Sequence, residues 1–151
     1  MGSQVGTWEP VIIRTRIPYY KRLLTTERKK KMALILVTDD AAFSRRMIRK
    51  AVEEGGHEVI EAANGVECLD MLASNSPDCI ISDLLMPEMD GYGLLKSLRN
   101  TGAKVPVIVL SADIQDSARQ QCQDLGAFMM LKKPPKAPEI IDAIQKALNA
   151  K

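Results

Sequence analysis

From Met32 onward, short apolar runs alternate with stretches in which apolar residues recur every three or four positions. Five runs read as strands: 33–37, 57–61, 78–82, 105–110 and 127–131. Several are nearly continuous in Val, Ile and Leu, the pattern of strands covered on both faces. The stretches between them read as amphipathic helices. The first, 42–54, carries Phe43, Met47, Ile48, Ala51 and Val52 on one face and stops at Gly55-Gly56. The next three are 65–73, 91–99 and 113–124. The 113–124 helix is a polar rod with a narrow stripe of Ile114, Ala118, Cys122 and Leu125. A fifth opens near Pro138, which suits a first helical turn.

Strand and helix repeated five times predict an α/β fold, a doubly wound parallel sheet with right-handed crossovers. Ligands in that architecture bind outside the carboxyl ends of the strands. Residues 1–31 do not share the pattern. Their apolar residues, such as Ile12-Ile13 and Tyr19-Tyr20, are interrupted by Arg14, Arg16, Pro18, Lys21 and Arg22. We expect a basic extension over 1–31, disordered or upstream of a true start at Met32, and one folded domain over 32–151.

Charge separates the same two parts. Residues 1–31 hold eight Lys/Arg against Glu9 and Glu27, a net of +6. Residues 32–151 hold thirteen basic and seventeen acidic residues, a net of −4, which argues against nucleic-acid binding by the folded part. Cys68, Cys79 and Cys122 are widely spaced, and with His57 as the one histidine no zinc cluster can be assembled. Reduced, cytoplasmic chemistry fits this usage. No apolar stretch reaches membrane-spanning length, and without a charged segment followed by a long apolar run a secretory signal is not expected. His57 is expected to be a solvated residue opening the second strand, and Met129-Met130 to fill the core.

Polar residues interrupt this picture where strands stop. Asp39-Asp40 follow the first strand, Asp83 the third, Ser111 the fourth, and Lys133-Pro134 come just after the fifth. Two carboxylates within a few ångströms repel by about 4 kcal/mol even at the effective dielectric of a protein surface. Three of them point to a hard divalent cation, and carboxylate and carbonyl oxygens with water suit Mg²⁺. Lys133 adds a point charge for a carboxylate or a phosphoryl oxygen. The Ser111 hydroxyl offers a hydrogen bond, and small Ala112 leaves room beside it. Together these make a phosphoryl-transfer site without a P-loop, with Asp83 as nucleophile.

These residues, in this order, resemble a response-regulator receiver domain of two-component signalling. The resemblance spans 32–149 and rests on Asp39-Asp40, the segment Asp83-Leu-Leu-Met-Pro-Glu-Met-Asp-Gly91, Ser111-Ala112, and Gly126-Ala127 followed by Lys133-Pro134. It implies a flavodoxin-like strand order 2-1-3-4-5. It also implies phosphorylation of Asp83 by a sensor histidine kinase or phosphotransfer protein, and Mg²⁺ on Asp40, Asp83 and the Leu85 backbone carbonyl, with Asp39 acting through water. Ser111 and Lys133 would hold phosphoryl oxygens. Lys132 is the nearest competitor of Lys133, but the spacing from Gly126 and the following Pro134 favour Lys133. The Lys133-Pro134 bond is expected to be cis.

Two departures from the family pattern carry expectations of their own. Met130 stands where the family often places an aromatic switch residue, so any switching there lacks a hydroxyl. Leu85, two residues after the acceptor, cannot orient water, so self-dephosphorylation should be slow. The chain ends soon after the fifth helix, and a single-domain messenger of the chemotaxis or phosphorelay kind is expected. It would signal through protein binding on the face of the fourth helix, fifth strand and fifth helix, with no membrane partner. A phosphorylation-independent interaction module is the rival reading. A phosphoester hydrolase fits less well, because Leu85 stands where a second acid would be needed.

Overall fold

In this computed structural model, residues 32–150 are described; the expected basic extension, 1–31, lies outside them. Five strands form one sheet: β1 (Leu34–Thr38), β2 (Glu58–Ala62), β3 (Cys79–Asp83), β4 (Val107–Ser111) and β5 (Met129–Lys132). All neighbouring pairs are parallel, in the order β2-β1-β3-β4-β5. Helices α1 (Ala42–Glu54), α2 (Gly65–Ser74), α3 (Gly91–Thr101), α4 (Asp116–Asp124) and α5 (Ala137–Asn149) form the crossovers. This is the flavodoxin-like arrangement that the alternation of elements and the resemblance led us to expect.

The period-two geometry of the strands divides the core between the two faces of the sheet. On one face Ile35, Val37, Cys79, Ile81, Ile108 and Leu110 meet Ile48 and Val52 of α1 and Ile140 and Ile144 of α5. On the other, Leu36, Ile80, Val107 and Val109 meet Cys68 of α2, Leu94, Leu95 and Leu98 of α3, and Cys122 of α4. Each large side chain buried this way contributes about 1.5–3 kcal/mol. Since β3 and β4 are buried along their whole length, the strand ends at the centre of the sheet are fixed most firmly.

Every strand starts one or two residues later than its apolar run and ends one residue later. Backbone pairing continues past the last apolar side chain, by two residues in β3 and one in β4, so Asp83 and Ser111 lie within the sheet ladder. At the start of β4, Pro106 has no N–H to donate and offers only its carbonyl, to Ile80, at 2.9 Å. Helix α4 is shorter than its sequence pattern. The Asp113 N–H is held by the Ser111 hydroxyl and the Gln115 N–H by the Asp113 carboxylate, both at 3.0 Å, which keeps residues 113–115 in a turn. His57 departs from expectation more sharply. It is buried, 7 % exposed, and its Nδ1 accepts the Ala33 N–H at 3.1 Å, fixing the chain as it enters β1.

Candidate functional site: an acidic cluster at the carboxyl edge

Strands β1 and β3 are adjacent, and their carboxyl ends bring the acids together. One carboxylate oxygen each from Asp39, Asp40 and Asp83 lies within 4.8 Å of the others. Asp39 is fully buried, Asp83 nearly so and Asp40 exposed. The Lys133 ammonium donates to Asp39 at 3.0 Å and to Asp83 at 2.9 Å. It arrives from β5 because the Lys133 N–H continues the ladder onto the Ser111 carbonyl at 2.9 Å. The peptide bond after it, Lys133-Pro134, is cis, as expected.

Asp83 feels opposing influences. Burial pushes its carboxyl above the ordinary range, the Lys133 ammonium works to lower it, the charge on Asp39 adds to the rise, and the net is upward. For Lys133, burial works downward, but hydrogen bonds to Asp83 and Asp39 outweigh it and hold the ammonium above its usual range. A charged lysine therefore bridges the acids at neutral pH.

The loop after β3 is shaped to keep Asp83 in place. The Leu84 N–H donates to the Asp83 carboxylate at 2.9 Å, and the Gly91 N–H closes the loop on the Leu84 carbonyl at 2.8 Å. A Cβ on Gly91 would lie 2.9 Å from Leu84 Cα and 3.0 Å from the Asp83 carbonyl oxygen, so only glycine fits behind Asp83. Asp90 then caps α3 by accepting the Gly93 N–H at 2.9 Å. Leu85 projects outward, 73 % exposed, and its carbonyl accepts no backbone hydrogen bond among the described residues.

Ser111 stands beside this cluster but is turned from it. The residue before it, Leu110, pairs with Asp83, yet its hydroxyl donates to the Asp113 carbonyl at 2.8 Å and accepts the Asp113 N–H. Met130 is half-buried and packs against the core on the α2-α3-α4 side of the sheet. Asp40 does not cap α1, whose N-cap is Ala41 without a side-chain bond. The three cysteines are buried and form no disulfide with one another, and burial pushes the Cys68 thiol up to about 11.

One participant had no visible signal in the sequence. Arg45, on α1, donates to the Asp39 carbonyl at 2.6 Å and to Glu61 of β2 at 2.7 Å. In the sequence it is one of four basic residues on the polar side of that helix, and nothing there distinguishes it from Arg46.

Residues 35–145 match the response regulator receiver domain. The chain belongs to that family. It is 39% identical over 110 residues to the chemotaxis protein CheY of Bacillus subtilis, covering 72% of this chain and 92% of that protein. It is also 37% identical over 105 residues to response regulator MprA of Mycobacterium sp. strain KMS, 70% of this chain. There it spans about half of the relative, 46% of its length. The receiver domain of the Francisella response regulator 1452 superposes with a TM-score of 0.75 at 31% identity, over 78% of this chain and 98% of that one. The receiver domain here is thus a module of two-component signalling. No helix among the described residues is long and apolar enough to cross a membrane.

The donor set fits a hard divalent cation. It consists wholly of oxygen, three carboxylates in close contact, with a backbone carbonyl in the adjoining loop that accepts no backbone hydrogen bond from the described residues. Lys133 supplies one positive charge against three negative ones, so the cluster still carries an excess of negative charge.

Proposed function

We propose that Asp83 accepts a phosphoryl group from the phosphohistidine of a sensor kinase or phosphotransfer protein, and that the chain signals by phosphorylation-dependent binding. An Asp83 carboxylate oxygen forms the new bond to phosphorus. The bond from phosphorus to the donor nitrogen breaks, and its electron pair leaves with the imidazole. Lys133, already within hydrogen-bond distance of Asp83, is placed to neutralise the transferring oxygens. Ser111 would hold another once its hydroxyl leaves Asp113. Mg²⁺ bound by Asp40, Asp83 and the Leu85 carbonyl, with Asp39 through water, would supply further charge neutralisation. The observation that carries this reading is the Lys133 ammonium bridging Asp39 and Asp83 beside Asp40.

In this reading residues 32–151 are a cytoplasmic receiver domain and residues 1–31 a basic extension. Its partners are a phosphodonor protein and a target that reads the α4-β5-α5 face, with Met130 as a rotameric element beneath that face. The folded domain engages no nucleic acid and no membrane. It turns over no external substrate beyond its own phosphoryl transfer and release, so it is not an enzyme in the usual sense.

The test is incubation with acetyl phosphate and Mg²⁺ followed by intact mass measurement. Wild type should gain one phosphoryl mass, lost in Asp83→Asn and on omission of the cation. A folded wild-type chain that gains nothing would instead be a phosphorylation-independent interaction module.

A further inference from the structure

We infer that Arg45 is a positioning residue for the metal-binding turn, acting through the backbone of Asp39. The inference rests on the proposal that the acid cluster takes Mg²⁺. Asp40 is the exposed member of the cluster, and an exposed carboxylate on a loop would ordinarily sample many directions. Here both peptide planes flanking Asp40 are held. The Asp39 carbonyl accepts from the Arg45 guanidinium at 2.6 Å, and the Ala41 N–H donates to the Asp39 carboxylate at 2.9 Å. The Asp39 N–H is itself tied to the Ala62 carbonyl at 3.1 Å. With both planes pinned, the Cα–Cβ direction of Asp40 is set before any cation arrives.

Arg45 does this at a risk, because a bare guanidinium next to a cation site repels the cation. Glu61 removes that charge by accepting from Arg45 Nε at 2.7 Å, and it also accepts from Arg49. The planar fork of arginine holds its Nε and Nη donors in fixed directions toward the two acceptors, a geometry that the flexible ammonium of lysine does not pre-organise. Arg49 pairs with Glu61 and Glu53 but does not reach Asp39, so it shares the ion pairing without the positioning.

Charge and geometry therefore make opposite forecasts. By charge alone, Arg45→Met should strengthen Mg²⁺ binding. By positioning, it should weaken it by about tenfold, the usual scale for a group that orients a metal ligand. Titrating MgCl₂ into the full chain by calorimetry, without phosphodonor, distinguishes them. Arg45→Met should bind about tenfold more weakly, Arg45→Lys should fall between it and wild type, and Arg49→Met should match wild type although it also loses an ion pair. With acetyl phosphate, Arg45→Met should need more Mg²⁺ for half-maximal rate while keeping its saturated rate. If Arg45→Met is poorly folded, Arg45→Lys against Arg49→Met decides the matter, compared at matched thermal stability. Binding by Arg45→Met within about threefold of wild type, or tighter, overturns the inference, as does equal weakening in Arg49→Met. A wild type that takes up no Mg²⁺ sinks the metal proposal and this inference together; a wild type that binds beside an unaltered Arg45→Met sinks this one alone.

Discussion

At Asp83 the fold accepts a destabilising charge. The carboxyl is held above its ordinary range because burial and the neighbouring Asp39 outweigh the help of Lys133. A neutral side chain of the same shape removes that penalty, so Asp83→Asn should raise the unfolding midpoint by a few degrees in metal-free buffer. Added Mg²⁺ should shrink the difference by stabilising wild type more. Calorimetric scans with chelator and with the cation check both parts, and an Asp83→Asn variant less stable than wild type in chelator would contradict them. Leu85, with 73 % of its surface exposed, contributes little to packing. Leu85→Asn should therefore change stability by no more than about 0.5 kcal/mol. An amide there can orient water toward the phosphorus, so the phosphoryl lifetime should shorten several-fold, as followed by the decay of the phosphorylated mass.

Among the elements, the loop between β3 and α3 is the one most constrained by shape. Gly91→Ala would set a methyl group against Leu84 and the Asp83 carbonyl, moving the end of β3 with it. Its expected signature is slower phosphorylation together with a stability loss of about 1–3 kcal/mol, the range for overpacking a filled site. On the outer strand β2, hydrogen bonds from Arg49 and then Arg45 hold the Glu61 carboxyl below the ordinary range. The stability this supplies is fully present above the unfolded carboxylate range, near pH 4.3, and is lost as pH falls through the depressed value. Solvent screening keeps it to about 0.5–1 kcal/mol, so Glu61→Gln should be that much less stable at pH 7 and match wild type in strong acid, as read by urea unfolding. These elements also mark how far the sequence could be read. Apolar periodicity located all five strands and helices because burial on two faces of a sheet dictates it. The acids and Lys133 were visible because charges at strand ends contradict that periodicity. Arg45 and the buried His57 were hidden, since an arginine on a polar helix face and a histidine before a strand look ordinary until a backbone group folds onto them. The late start of α4 was hidden likewise, because only the Ser111 and Asp113 hydrogen bonds reveal it.

For the whole molecule, the question is how a change at Asp83 would reach the proposed binding face. Helix α5 is held by Ile140, Ala143, Ile144 and Ala147, all buried, whereas α4 buries only Ala118 and Cys122 and has no side-chain cap. The helix with the thinnest attachment is also the one joined directly to Ser111 through the 113–115 turn. Each hydrogen bond in that turn stabilises it by about 1 kcal/mol, so transferring the Ser111 hydroxyl from Asp113 to a phosphoryl oxygen would loosen the entrance to α4. Local opening follows such differences in attachment. In hydrogen-exchange mass spectrometry, amides of 116–124 should exchange before those of α5 and the central strands, and faster still after phosphorylation. Ser111→Ala should show the faster exchange without phosphodonor, because its turn has already lost both bonds, and phosphorylation should add little. If α4 were as protected as α5 and indifferent to both changes, the route from Asp83 to the α4-β5-α5 face would have to run through β5 instead, where Met130 is the side chain placed to carry it.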